Sequence, residues 1–234
     1  AMHLTTIMRL KAEGYRGNRD IIVALTTDEE GGPDNGVDYL LKNHRPLIEA
    51  EYAFNEGGGG RVRDGKYLSH DIQAAEKVYA DFRLEVTNPG GHSSQPVKEN
   101  AIYQLAQALV KIGAYDFPVH LNDVTRTYFE RSAAITPGKM GEAMKALAAN
   151  PNDAAAIATL SSDKAYNSQL RTSCVATMLE GGHAPNALPQ RARANVNCRI
   201  LPNDPPAEIQ KTLERIIGDP KVAMTFPGGT HDLW

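Results

Sequence analysis

Arg191-Ala192-Arg193-Ala194-Asn195-Val196-Asn197-Cys198-Arg199-Ile200 alternates polar and apolar residues without a break. A period of two is the signature of a strand with one buried and one polar face. Working outward, Phe82, Leu84 and Val86 alternate with Asp81, Arg83 and Glu85, which predicts a second such strand with one wet face. Between them, Ala101, Leu105, Ala108, Leu109 and Ile112 mark a helix closed by Gly113, and Ser173 to Glu180 is another strand candidate. After Ile200, Asp204 is placed to cap a helix with proline in its first turn, Ile209, Leu213, Ile216 and Ile217 face its core, and Gly218 ends it. A last short strand is expected over 221–226. Residues 121–170 are alanine-rich and broken by prolines, and read as a helical insert. From Lys77 onward the order is strand, helix, insert, strand, strand, helix, strand. This is the split βαβ, or ferredoxin-like, α+β arrangement.

Upstream of Lys77 the texture differs. Leu4, Ile7, Met8 and Lys11 share one helical face, with Gly14 as a stop. The continuous apolar run Ile21-Ile22-Val23-Ala24-Leu25 reads as a strand buried on both faces, and a helix followed by such a strand implies a parallel sheet. Pro33-Asp34-Asn35-Gly36 leads into a helix with Val37, Leu40 and Leu41 on its apolar side, and Glu51 to Asn55 is a short strand candidate. The expected fold class is therefore α/β: a partial parallel-sheet domain over 1–76, the α+β module over 77–226, and a return towards the first domain over 227–234.

The formal net charge is −3, which gives no electrostatic reason to expect nucleic acid or an anionic membrane. No apolar run approaches the roughly 20 residues of a membrane span, and Ala1-Met2-His3-Leu4 shows no basic stretch leading into an apolar one. A soluble chain is expected, with the compartment open between cytoplasm and periplasm. Cys174 and Cys198 are too few for a disulfide scaffold and are expected to be buried free thiols.

Several residues could carry chemistry. Asp28-Glu29-Glu30-Gly31-Gly32 follows the apolar run, and catalytic groups of parallel sheets gather beyond the carboxyl ends of strands. Adjacent carboxylates repel unless a cation neutralises them, so one could bind a metal while its neighbour handles the proton of a metal-bound water. A solvated acidic turn is the alternative. Glu56 precedes Gly57-Gly58-Gly59-Gly60; it is a second such carboxylate or the start of a flexible loop. A phosphate cradle is disfavoured, because no Lys-Ser/Thr follows the glycines. His92 lies in a loop, Asn186 in a turn, and Arg199 on the polar face of its strand. Each is either surface decoration or, for Arg199, a planar fork for a substrate carboxylate.

Taken together, Thr27-Asp28-Glu29-Glu30-Gly31-Gly32, Asn55-Glu56-Gly57-Gly58, Gly91-His92-Ser93-Ser94, Gly181-Gly182-His183-Ala184-Pro185-Asn186-Ala187-Leu188-Pro189 and Asn197-Cys198-Arg199-Ile200-Leu201-Pro202 resemble one family in order and spacing. It is the aminoacylase/carboxypeptidase G family of dinuclear zinc hydrolases, with succinyl-diaminopimelate desuccinylase and the carnosinases. The resemblance implies Glu29 as general base, Glu30 as ligand of one zinc and Glu56 as ligand of the other. It implies that His92 reaches across a dimer to help hold the oxyanion, and that Asn186 and Arg199 orient the substrate and bind its carboxylate. It implies a ferredoxin-like lid, a homodimer made through that lid, and a small peptide or N-acyl amino acid as substrate.

The same family carries a His-x-Asp motif, a bridging Asp and a late histidine ligand, none of which occurs in this sequence. The chain is therefore expected to be a fragment of a zinc metallopeptidase or amidohydrolase, inactive by itself, with its two zinc ions absent or weakly held. The alternative from another class is a non-catalytic dimerisation or binding module built from the lid.

Overall fold

A computed structural model describes residues 2–28, 34–202 and 204–226. The chain divides into two compact units, Ala1–Asn55 and Glu56–Trp234.

The first unit holds three helices, α1 (Met2–Ala12), α2 (Gly36–Asn43) and α3 (Arg45–Ile48). The Asn35 side chain caps α2 by accepting from the Asp38 N–H. The expected parallel sheet is not formed among the described residues of this unit, which include no strand. Ile21, Ile22, Val23 and Leu25 are exposed, and Phe54 in the other strand candidate is 90% exposed. A strand buried on both faces exists only where neighbours pair with both its edges and helices cover it; none of the described residues does so here.

The second unit opens with a hairpin of β1 (Gly59–Arg63) and β2 (Lys66–Asp71), which sequence reading missed. Its two-residue turn, Asp64-Gly65, has positive φ at both positions, the geometry that matches the twist of a tight hairpin. Of the glycines after Glu56, Gly59 and Gly60 open β1. A Cβ on Gly58 would lie 2.2 Å from the Asp71 carbonyl oxygen.

Next come β3 (Val78–Thr87), the two-residue β4 (Gly91–His92) and α4 (Ala101–Gly113). The helical insert resolves into α5 (Asp123–Ala133), α6 (Gly138–Ala149), α7 (Ala154–Ser161) and α8 (Lys164–Leu170). Then follow β5 (Ser173–Gly181), β6 (Ala187–Leu188), β7 (Arg191–Ile200), α9 (Pro206–Ile217) and β8 (Ala223–Thr225). The main sheet is antiparallel throughout, in the order β5-β7-β3-β8. That is the strand order of the ferredoxin-like arrangement. The cap of α9 is Pro205 and not Asp204, and Gly218 ends the helix in the left-handed conformation at φ 61°.

The alternation read from sequence decides which face is covered. Phe82, Leu84 and Val86 of β3 and Ala194, Val196 and Ile200 of β7 pack under Leu105 and Ile112 of α4 and Leu213 and Ile217 of α9. The insert has a separate core of Phe129, Met144, Leu147, Leu160 and Leu170. Cys174 and Cys198 are not free thiols. They are register partners across β5 and β7, 4.1 Å apart at Cα, and form a disulfide. Among the described residues no helix is long and apolar enough to cross a membrane.

Candidate functional site

Glu29 and Glu30 lie outside the described residues. On either side of them the chain is tied to itself: Asp28 Oδ2 accepts from the Asp34 N–H at 3.2 Å, and the Gly36 N–H donates to the Thr27 carbonyl at 2.9 Å. Glu56 is exposed. Among the described residues no three or more His, Cys, Asp or Glu side chains are grouped to hold a metal. The described residues alone therefore offer no ligand set for a zinc pair.

His92 and Asn186 are brought together. β4 pairs with β6, with His92 opposite Ala187, and the Ser93 N–H donates to the Asn186 carbonyl at 3.0 Å. Gly90 permits the close approach of the two segments, since a Cβ there would meet Gln190 Cγ at 2.6 Å. The His92 ring is oriented by its own loop. Its Nδ1 accepts from the Ser94 N–H at 3.2 Å and lies 2.8 Å from Ser94 Oγ. A nitrogen that accepts from an amide carries no proton, so the neutral ring has its proton on Nε2. His92 is thus set as a donor through Nε2.

Arg199 is at the other end of β7. Arg191 to Arg199 is eight steps along a strand, roughly 27 Å, and β6, which pairs with the His92 strand, precedes the Arg191 end of β7. The Arg199 guanidinium lies over the Tyr79 ring, 4.7 Å from the centroid, and the two residues are register partners. The polar face around it is less wet than the alternation suggests: Asp81 is 4% exposed and Asn195 5%. Asp81 accepts from Tyr79 OH at 2.5 Å, from Asn195 Nδ2 at 2.8 Å and from Asn197 Nδ2 at 2.9 Å. A bulge in β5 at Thr177 lets its hydroxyl accept from the Asn195 amide at 2.8 Å. Burial disfavours the charged Asp81, but those hydrogen bonds and the Arg199 charge outweigh it and hold the carboxyl below its ordinary pKa. The bond to Asp81 raises the pKa of Tyr79, with burial adding to it, so the phenol stays protonated.

Sequence reading marked Arg199 as a candidate but neither Tyr79, over whose ring it lies, nor Asp81, which holds the Tyr79 hydroxyl. The period-two pattern puts all three on one face, yet only the strand register shows which of them touch.

A family model described as the peptidase dimerisation domain matches residues 74–225. The chain is 28% identical over 95% of its length to a probable carboxypeptidase S-like protein of Dictyostelium discoideum, covering 43% of that protein. It is 27% identical over 98% of its length to an N-fatty-acyl-amino acid synthase/hydrolase, PM20D1.1, of Danio rerio, covering 45% of it. An M20 family metallo-carboxypeptidase structure from Sulfolobus solfataricus is 19% identical, with 81% of this chain and 45% of that one covered and a TM-score of 0.44. The chain spans a little under half the length of these curated relatives. With the matched model running across the whole ferredoxin-like module, the chain belongs to the M20 peptidase dimerisation domain family.

Proposed function

We propose that the chain supplies part of the catalytic domain and the lid of a zinc-dependent metallopeptidase or amidohydrolase, one that cleaves an amide or peptide bond beside a free carboxylate. Glu29 takes the proton of the attacking water and passes it to the leaving nitrogen. Glu30 and Glu56 would be the chain's contributions to the metal centre, one to each of two zinc ions. Zinc bound there would supply Lewis-acid polarisation of the scissile carbonyl. His92 donates from Nε2 to the oxyanion, Asn186 orients the substrate, and Arg199 grips the carboxylate in a planar fork. The substrate class is a small peptide or N-acyl amino acid.

The observation that carries this reading is Arg199: an exposed guanidinium braced on Tyr79 and absent from every ion pair found among the described residues. Its distance from His92 supports a homodimer. One lid cannot put both residues on one small substrate, whereas His92 of one copy can serve the site of another. Among the described residues no strand pairs with the outer edge of β5, which is flanked by the exposed Val175, Met178 and Leu179 and is open to such pairing. Calorimetric titration with N-acetylglycine tests the carboxylate grip. Binding is expected in the native sequence and lost in Arg199→Ala; equal affinity in both would refute it. Lacking a His-x-Asp motif, the 234-residue chain is expected to show no zinc-dependent hydrolysis of N-acyl amino acids or dipeptides by itself.

That β5 edge also favours a second reading, a non-catalytic dimerisation or binding module. Sedimentation combined with N-acetylglycine titration separates the two: a dimer that binds the carboxylate through Arg199 supports the hydrolase, and a dimer that does not bind it supports the module.

A further inference from the structure

Lys77 directly precedes β3 and is half-buried. Its Nζ donates to Ser173 Oγ at 3.3 Å. Ser173 is the register partner of Arg199 on one side, and Tyr79, two residues after Lys77, is its partner on the other. An ammonium, a hydroxyl and a guanidinium thus share one corner of the polar face. Burial first, and then the positive charge of Arg199, lower the Lys77 pKa to about 8. No ion pair among the described residues includes either cation. The buried acid nearest in the network, Asp81, is already taken up by Tyr79, Asn195 and Asn197. Lys77 is held partly out of water beside a second cation, and neither forms an ion pair among the described residues, an arrangement that costs the fold stability. An anion seated between them would relieve that cost.

We propose that Lys77 and Ser173 join Arg199 in a single carboxylate-binding site, so that the substrate's free carboxylate is held by a guanidinium fork and by a second, point-like cation. This rests on Arg199 being the carboxylate grip. It adds Lys77 as the residue that sets affinity for the charged over the neutral substrate end. Arginine fits two carboxylate oxygens in its plane, and lysine can approach either oxygen from outside that plane. The Ser173 hydroxyl holds the flexible lysine stem in place while keeping its own lone pairs and proton adaptable.

The test follows the Lys77 side chain by NMR of the full chain, its Cε shift being read against pH. N-acetylglycine should raise its pKa from about 8 towards the ordinary lysine range, and the uncharged N-acetylglycinamide should not. Lys77→Met should weaken N-acetylglycine binding about tenfold, as loss of one charge-assisted contact does, and Lys77→Arg should restore part of it. Arg199→Ala should abolish it. If Lys77→Met and Lys77→Gln, with unchanged amide spectra, bind N-acetylglycine as the native chain does while Arg199→Ala fails, Lys77 is no part of the site and the carboxylate grip stands. If none of the variants affects binding, both readings fall. If inorganic phosphate moves the Lys77 pKa and N-acetylglycine does not, the carboxylate assignment is overturned.

Discussion

Breaking the Cys174–Cys198 bond should cost the second unit about 3.5 kcal/mol. The two cysteines are 24 residues apart in sequence. Closing a loop of that length removes conformational entropy from the unfolded chain in proportion to the logarithm of its size, which gives about 3.5 kcal/mol at 25 °C. Native packing should change little, because both sulfurs sit on strands that are paired on either side of them, from Ser173 to Ala176 against Arg199 to Val196. The assay is urea unfolding of oxidised protein, of reduced protein, and of the Cys174→Ala/Cys198→Ala double variant. With a slope of about 2 kcal/mol per molar urea, the midpoint should fall by roughly 1.5–2 M on reduction. The slope itself should rise on reduction, because an unlinked unfolded chain exposes more surface. Superimposable curves for oxidised and reduced protein would refute the reasoning. So would two titratable thiols in unreduced, denatured protein.

Three further outcomes follow from the polar face and the sheet edge. Lys77 has a folded pKa below its unfolded one, so its charge costs stability in full below about pH 8, and the cost fades as pH rises into the ordinary lysine range. Urea midpoints should therefore climb over that interval in the native chain but not in Lys77→Met, which should be the more stable of the two at pH 7. Asp81→Ala strands the Asn195, Asn197 and Tyr79 donors and should cost roughly 3 kcal/mol by urea unfolding. In the native chain Asp81 has the opposite sign to Lys77: its folded pKa is depressed, so its contribution is complete above the ordinary carboxylate range and is lost as pH falls below it. Val175→Lys, on the exposed β5 edge, should shift sedimentation towards monomer with little change in unfolding midpoint.

The module was legible where one face of a strand is buried and the other is not. Phe82-Arg83-Leu84-Glu85-Val86 and the Arg191–Ile200 stretch each declare both faces, and the strand order followed from there. Ile21 to Leu25 was not legible, because a continuous apolar run says only that something should cover it, and the described residues show it exposed. The Asp64-Gly65 hairpin carried a usable signal, but the glycines before it drew the reading towards chemistry. The disulfide and the Lys77–Ser173–Arg199 corner depend on cross-strand register, which no local pattern encodes. Of the expected site residues, His92 and Asn186 are neighbours, Arg199 stands apart with bracing partners of its own, and Glu29 and Glu30 lie outside the described residues.

β3 and β8 run side by side in opposite directions, with Arg83 opposite Thr225. The chain thus enters the module along one strand and leaves it along the adjacent one, heading back towards its point of entry. Val78 and Thr225 are separated by only about five strand steps, or roughly 17 Å. A module wired in this way is a cassette. It can be spliced into a surface turn of a host protein without prising the host apart, and evolution or an engineer can exchange it as a single piece of coding sequence. Excised at 77–226 and joined end to end by a short flexible linker, it should also tolerate circular permutation within the β4–β6 loops.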